Sequence, residues 1–216
     1  MSLQVENFSL AFDDLVLFDD ANFSIESGKI ICLHTGVLDG GTSFLKACAG
    51  IIKFQQGRIV INNHNLADMN ANQIFKNVSY CYEEGGLVSL FTVFNNLAMP
   101  LRYHKGLKEK IITDRIYQVA QQLNIEPLLE MEPHQLNDVQ KRIVNLARAL
   151  VIRPKLILAD ELQSGMSPEM RENTLNILID YTQETNASIL MTTTAGDTTH
   201  FADSVYKIEN QTIVLT

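Results

Sequence analysis

At 216 residues, 46% hydrophobic and 19% charged, the chain is long enough to bury a substantial core and reads as one or two packed globular layers. Its formal net charge of −8, from 17 Lys and Arg against 25 Asp and Glu, argues against nucleic acid as a partner, since phosphate-backbone binding rests on clustered cations and no basic run occurs. The opening "MSLQVENFSLAFDD" has neither a basic n-region nor an apolar h-region, and no run of about 18 apolar residues follows, so we expect a cytoplasmic chain free to dock on a membrane partner.

Alternating apolar character over the first 34 residues ("LQVENFSLAF", "LVLFDDANFSI") predicts strands, ending with the short apolar run "KIICLH". A glycine loop opening a helix follows, "GVLDGGTSFLKACAG" at 36 to 50. "GRIVIN" at 57 to 62 reads as a strand closed by an Asn-Asn turn, and "VSYCY" at 78 to 82 as another strand. From about 92 to 152 the periodicity becomes helical, with Ile143, Leu146, Ala147 and Leu150 on one stripe. "KLILAD" at 155 to 160 has the signature of a buried strand, and a helix from about 168, the strand "SILMTTT" at 188 to 194 and a terminal β pair near 204 to 215 complete the chain. Strands and helices alternating on both sides of a helical insert predict an α/β core with parallel strands. Cys32, Cys48 and Cys81 lie among apolar neighbours at irregular spacing and are expected core thiols. The five histidines, His34, His64, His104, His134 and His200, lack ligand spacing and are expected at the surface or in packing, and the methionines in the core.

Two segments carry chemistry. "GVLDGGTS" has the outline of a phosphate-binding loop, Gly-x-x-x-x-Gly-Lys-Ser/Thr, with Gly36, Gly41 and Ser43 in place but Thr42 where the lysine belongs. Tight strand-to-helix turns use glycines for geometry alone, so this pattern by itself is weak. "KLILADE" strengthens it: an apolar strand ending in Asp160 and Glu161 sets an acidic pair at a strand's carboxyl edge, where ligands bind in such folds. There Asp160 is placed to hold Mg²⁺ through water and Glu161 to polarise an attacking water, or both are simply solvated strand-end acids.

Further segments fall in order. The sequence resembles the ATPase subunits of ABC transporters over essentially its whole length. Phe12, 24 residues before Gly36, matches the aromatic that stacks on adenine. "GVLDGGTS" matches the Walker A loop, "VSYCYEEGGL" the strand and Q-loop, "LNDVQKRIVNLARAL" the signature segment and its helix, "LILADE" the Walker B strand, "SGMSP" the D-loop, and "SILMTTTAGD" the strand ending at the switch histidine. "FTVFNNLAMPLRYHKGLKEKII" resembles the ATPase subunits of the Mla and Mce-associated lipid transporters most of all. The resemblance implies a P-loop ATPase fold with a parallel core sheet, an N-terminal antiparallel β subdomain and a helical subdomain at about 92 to 152, one cassette spanning residues 1 to 216. It also implies ATP and Mg²⁺ as ligands, a membrane permease and a second ATPase subunit, identical or not, as partners, and a place on the inner face of a bacterial cytoplasmic membrane.

The departures from the family pattern fall on its chemistry. Thr42 stands for the lysine, Asp39 for a loop glycine beside Gly40 and Gly41, Glu83 for the Q-loop glutamine, Ser167 for the D-loop aspartate and Thr194 for the switch histidine. The signature Leu-Ser-Gly-Gly-Gln reads Leu136-Asn137-Asp138-Val139-Gln140. The changes at 39, 42 and 83 each move local charge by −1 toward a nucleotide. At an effective dielectric near 20 and about 5 Å, a unit charge pair is worth roughly 3 kcal/mol, so several kcal/mol of phosphate binding is lost after screening. That turns micromolar binding millimolar or weaker. Ser43, Asp160, Glu161 and Phe12 survive and keep weak ATP and Mg²⁺ binding open. The expectation is a degenerate, pseudo-ATPase subunit. Its alternatives are a slow ATPase in which Lys46 supplies the missing cation, and a soluble scaffold outside transport. The apolar segment from about 85 to 106 (Leu87, Leu90, Phe91, Val93, Phe94) is the expected permease-facing groove.

Overall fold

The computed structural model describes residues 1–216, the side chain of Lys105 excepted. Two long strands, β1 (Leu3–Phe12) and β2 (Leu15–Ile25), pair antiparallel, and β1 also pairs antiparallel with β4 (Gln56–Ile61), which carries the short β5 (His64–Asn65). The expected Asn-Asn turn joins β4 to β5: Asn62 and Asn63 have φ of 47° and 66°, the left-handed pair that a tight hairpin demands.

A second sheet is built around β3 (Ile30–His34). Its order is β10-β9-β3-β8-β7-β6, with β6 (Val78–Cys81), β7 (Leu156–Ala159), β8 (Ser188–Thr193) and β9 (Ser204–Glu209) parallel to β3, and β10 (Thr212–Leu215) antiparallel at one edge. Period-two alternation divides these strands between two cores. On β7, Leu156 and Leu158 join the core shared with the antiparallel sheet, while Ile157 and Ala159 join the core under the helices. Phe8, Phe18, Phe23 and Phe44 fill the first core with ring centroids 5.4 to 5.7 Å apart, tilted or edge-on, which fastens the loop helix α1 (Gly41–Cys48) to the antiparallel sheet.

The helical insert comprises α3 (Val93–Pro100), α4 (Glu109–Gln122) and α5 (Asp138–Ile152), with one π-turn over Leu101–Lys105. The expected stripe Ile143, Leu146, Ala147 and Leu150 is buried. A helix the sequence did not announce, α2 (Ala71–Asn77), precedes β6, and α6 (Pro168–Thr185) follows β7. Because β3, β6, β7 and β8 are parallel, their carboxyl ends meet on one edge. The glycine loop, Glu83, Asp160, Glu161 and Thr194 all follow those ends.

Candidate functional site

A cleft of about 660 Å³ opens at this edge. The loop residues Gly36, Asp39, Gly40, Gly41, Thr42 and Ser43 line it together with Phe12, Glu161 and Thr194, so most of the expected site residues are brought together. Gly40 has φ 96°, and a Cβ on Gly41 would collide with the Thr35 side chain, so the loop's turn and its close approach to β3 both require glycine. Phe12 is 48% exposed and lines the cleft. Apart from Thr35, the remaining wall is apolar, made by Leu15, Leu17, Val37, Leu38 and Ala195. Among the lining residues the charged groups are Asp39 and Glu161, both acidic. Lys46, the cation that a working loop would need to recruit, lies in the last turn of α1 and outside that lining.

The glycine loop already holds an anion, its own. The Asp39 carboxylate accepts from the backbone N–H of Gly36 through Oδ2 and from that of Gly41 at 3.2 Å through Oδ1. Inward-facing N–H groups of this kind form a nest for a phosphate, and here a side chain three residues along fills it. Thr42 turns the other way: its hydroxyl donates to Asp160 Oδ1 at 3.0 Å.

Asp160 is 2% exposed and accepts two further hydroxyls, Thr192 at 3.0 Å on Oδ1 and Tyr80 at 2.7 Å on Oδ2. Burial and the adjacent carboxylate push the Tyr80 phenol well above its ordinary range, which keeps it a donor. Asp160 does not line the cleft, whereas Thr42 does, so the Thr42 hydroxyl stands between this carboxylate and a hydrated Mg²⁺ in the cleft.

Glu161 has φ 42°, held by its N–H donating to Thr192 Oγ1 at 2.8 Å. Burial raises its carboxyl pKa, and the nearby Glu83, Asp160 and Asp197 raise it further against an opposing Arg142. A raised folded-state value means ionisation costs stability as pH rises through the carboxylate range. Glu161→Gln is therefore expected to raise the melting temperature at pH 7. The gain shrinks toward zero as pH falls below the ordinary carboxylate range, where both side chains are neutral; thermal melts across pH measure it.

Glu83 stands outside the cleft lining. Its Oε1 lies 3.8 Å from Arg142 Nη2, and Arg142 also donates to the Ser164 carbonyl at 3.2 Å. Thr194 is engaged by Asp197, whose Oδ2 accepts from its N–H at 2.9 Å and its hydroxyl at 3.3 Å. The signature segment opens α5 away from the cleft. Asn137 caps the helix in a reciprocal box with Gln140 (2.8 and 2.9 Å), Asp138 occupies the exposed first turn beside Lys141 at 3.1 Å, Leu136 is buried, and Val139 lies against Gly165. A capping box and an acid in the first turn make a good helix start. They make a poor approach for an anion, because Asp138 stands where backbone N–H groups would face it.

A family model described as "ABC transporter" matches residues 18–164, well over half the chain. The chain belongs to the ABC transporter family. It carries the ATP-binding domain of that family, in the ABC ATPase fold. It is 24% identical over 216 residues to the "Intermembrane phospholipid transport system ATP-binding protein MlaF" of Haemophilus influenzae, covering 98% of this chain and 82% of that one. It is also 24% identical over 196 residues to the "Probable ribonucleotide transport ATP-binding protein mkl" of Mycobacterium leprae, covering 89% of this chain but only 56% of that protein. The cassette thus spans little more than half the length of some curated relatives. In fold it matches the dimeric structure of MJ0796, described as a bacterial ABC transporter cassette, with a TM-score of 0.89 at 18% identity over 98% of this chain and 96% of that one.

The sequence marked the loop, the acidic pair and the signature segment, but not the two hydroxyls on neighbouring strands that cage Asp160. Tyr80 and Thr192 sit near the ends of β6 and β8, the strands flanking β7, and hydroxyl residues at matching strand ends beside an acid are the only signal available beforehand.

Proposed function

We propose that the cassette is a docking subunit of an ABC-type phospholipid transporter that no longer turns over ATP. The observation that carries this reading is the Asp39 carboxylate seated on the Gly36 and Gly41 N–H groups, where a transferred phosphoryl group needs those donors. An incoming polyphosphate meets a filled nest, an acidic cleft and no lining cation. With Asp160 bound to three hydroxyls, little remains to stabilise developing charge. The name of the relative MlaF, and the likeness of the segment from 91 to 112 to such subunits, support a phospholipid as cargo. Dimeric cassettes of this fold support pairing with a second cassette, identical or not. Among the described residues no helix is long and apolar enough to cross a membrane, so membrane association in this reading is through a permease.

Steady-state phosphate release with Mg-ATP tests the proposal. The expected rate is indistinguishable from that of Glu161→Gln, and a clear rate that this substitution abolishes overturns the pseudo-enzyme reading.

The permease-facing surface is assigned to an aromatic groove of about 510 Å³ between β6 and the helical insert, lined among others by Phe75, Tyr80, Tyr82, Met99 and Tyr103, with Phe91 and Arg102 on its continuation. Only part of the apolar segment faces outward. Val93 is buried and Phe94 packs against the core, while Leu90, Phe91, Met99 and Tyr103 are exposed. Phe91→Glu or Tyr103→Glu is expected to move the chain from the membrane to the soluble fraction without lowering its melting temperature, as cell fractionation reads. Unchanged membrane association in both variants counts against this surface.

A further inference from the structure

We propose that Tyr80 is a positioning residue that makes the aromatic groove and the glycine loop one coupled unit: its ring forms part of the groove wall, and its hydroxyl fixes the carboxylate that anchors the loop helix. The ring lines the groove beside Tyr82, its centroid 4.6 Å away and edge-on. The hydroxyl donates to Asp160 Oδ2 at 2.7 Å. The other oxygen of that carboxylate takes Thr42 at the start of α1 and Thr192 on β8, and Thr192 Oγ1 in turn accepts the Glu161 N–H. One buried carboxylate therefore ties a groove residue to the loop helix and to the backbone at Glu161. In a dense interior a displaced ring cannot move without its hydroxyl, and a shared acceptor transmits the displacement to its other donors.

The route bypasses Glu83, which lines neither the groove nor the cleft and is paired with Arg142. By linkage the coupling is reciprocal, so a change at Thr42 alters what the groove accepts. The inference rests on the reading above only in supposing that the groove has an occupant in the cell. The test fills the groove chemically, so a failure of permease docking and a failure of this coupling are told apart.

Met99→Cys provides an exposed thiol on the groove wall for N-benzylmaleimide, whose ring then occupies the groove. The native Cys32, Cys48 and Cys81 do not compete: all are buried, and burial pushes the thiols of Cys32 and Cys81 up to about 12. The readout is the backbone amide resonances of Gly41, Thr42 and Glu161 in the full-length chain. Labelling is expected to shift all three. In the Tyr80→Phe background, which keeps the ring and removes only the hydroxyl, the response is expected to be lost. Equal shifts with and without the hydroxyl, or no shift in the parent, overturn the proposal. Should Tyr80→Phe fail to fold, Thr42→Val cuts the same path at its other end: the response at Gly41 disappears while that at Glu161 remains, and any other pattern overturns the coupling.

Discussion

A chain carrying Asp39→Gly with Thr42→Lys binds Mg-ATP about a hundredfold more tightly than its parent, a gain of roughly 2.7 kcal/mol. The pair of substitutions moves the charge facing a polyphosphate by two units, removing one carboxylate and adding one ammonium. Each unit is worth roughly 3 kcal/mol at about 5 Å and an effective dielectric near 20, before the screening of an open cleft cuts it by half or more. The backbone contributes as well. With Asp39 gone, the N–H groups of Gly36 and Gly41 turn from an internal carboxylate to the ligand, and bonds to a charged acceptor are the strong ones. Against this stands the loss of the Thr42 hydroxyl from Asp160, which keeps Thr192 and Tyr80 as donors. Hydrolysis is expected to stay low until Asn137, Asp138 and Val139 also become Ser, Gly and Gly, because Asp138 places a carboxylate at the start of α5. Calorimetry reads the binding and phosphate release reads the turnover. Full turnover from the loop repair alone means the signature segment does not limit activity.

The same residues show what a sequence discloses about such a site. The strands, the loop and the acidic pair are legible because hydrophobic period and glycine spacing are local properties, and "KIICLH", "GRIVIN" and "KLILAD" all fall on strands. The helix α2 is not legible: none of its residues is buried, so it has no apolar stripe, and its one signature is the Asn70 and Gln73 capping box. Asp39 is legible as a negative charge added to the loop, and the geometry goes one step further by seating that carboxylate on the loop's own N–H groups. The cage around Asp160 leaves only a faint trace, hydroxyl residues at strand ends, since Thr42, Tyr80 and Thr192 lie 118, 80 and 32 residues from it and meet only through strand order. The groove shows the opposite limit. Density of apolar residues from 85 to 106 points to this region, yet of Leu87, Leu90, Phe91, Val93 and Phe94 only Phe91 borders the groove's continuation, and density does not separate Val93, which faces the core, from Phe91 and Tyr103, which face solvent.

Asp160→Ala destabilises the chain by about 2–5 kcal/mol, the cost of leaving two buried hydroxyl donors, Tyr80 and Thr192, without their acceptor. Thr42 adds little because it borders the cleft and can turn to water. For a domain of this size the loss corresponds to a melting temperature lower by roughly 5–15 °C. Asp160→Asn costs less, because its amide oxygen still accepts two hydroxyls, while its NH₂ can donate to a rotated third. Magnesium separates this account from the role the motif implies. If Asp160 serves as the acceptor for three hydroxyls, millimolar Mg²⁺ leaves the melting temperature of the parent unchanged, and the deficit of Asp160→Ala is the same with and without the ion. If instead Asp160 anchors the metal, Mg²⁺ with ATP stabilises the parent by mass action and Asp160→Ala abolishes that increment. Urea unfolding of the parent and both variants, each with and without Mg-ATP, decides between them, and a metal-dependent gain that vanishes in Asp160→Ala overturns the hydroxyl-cage assignment.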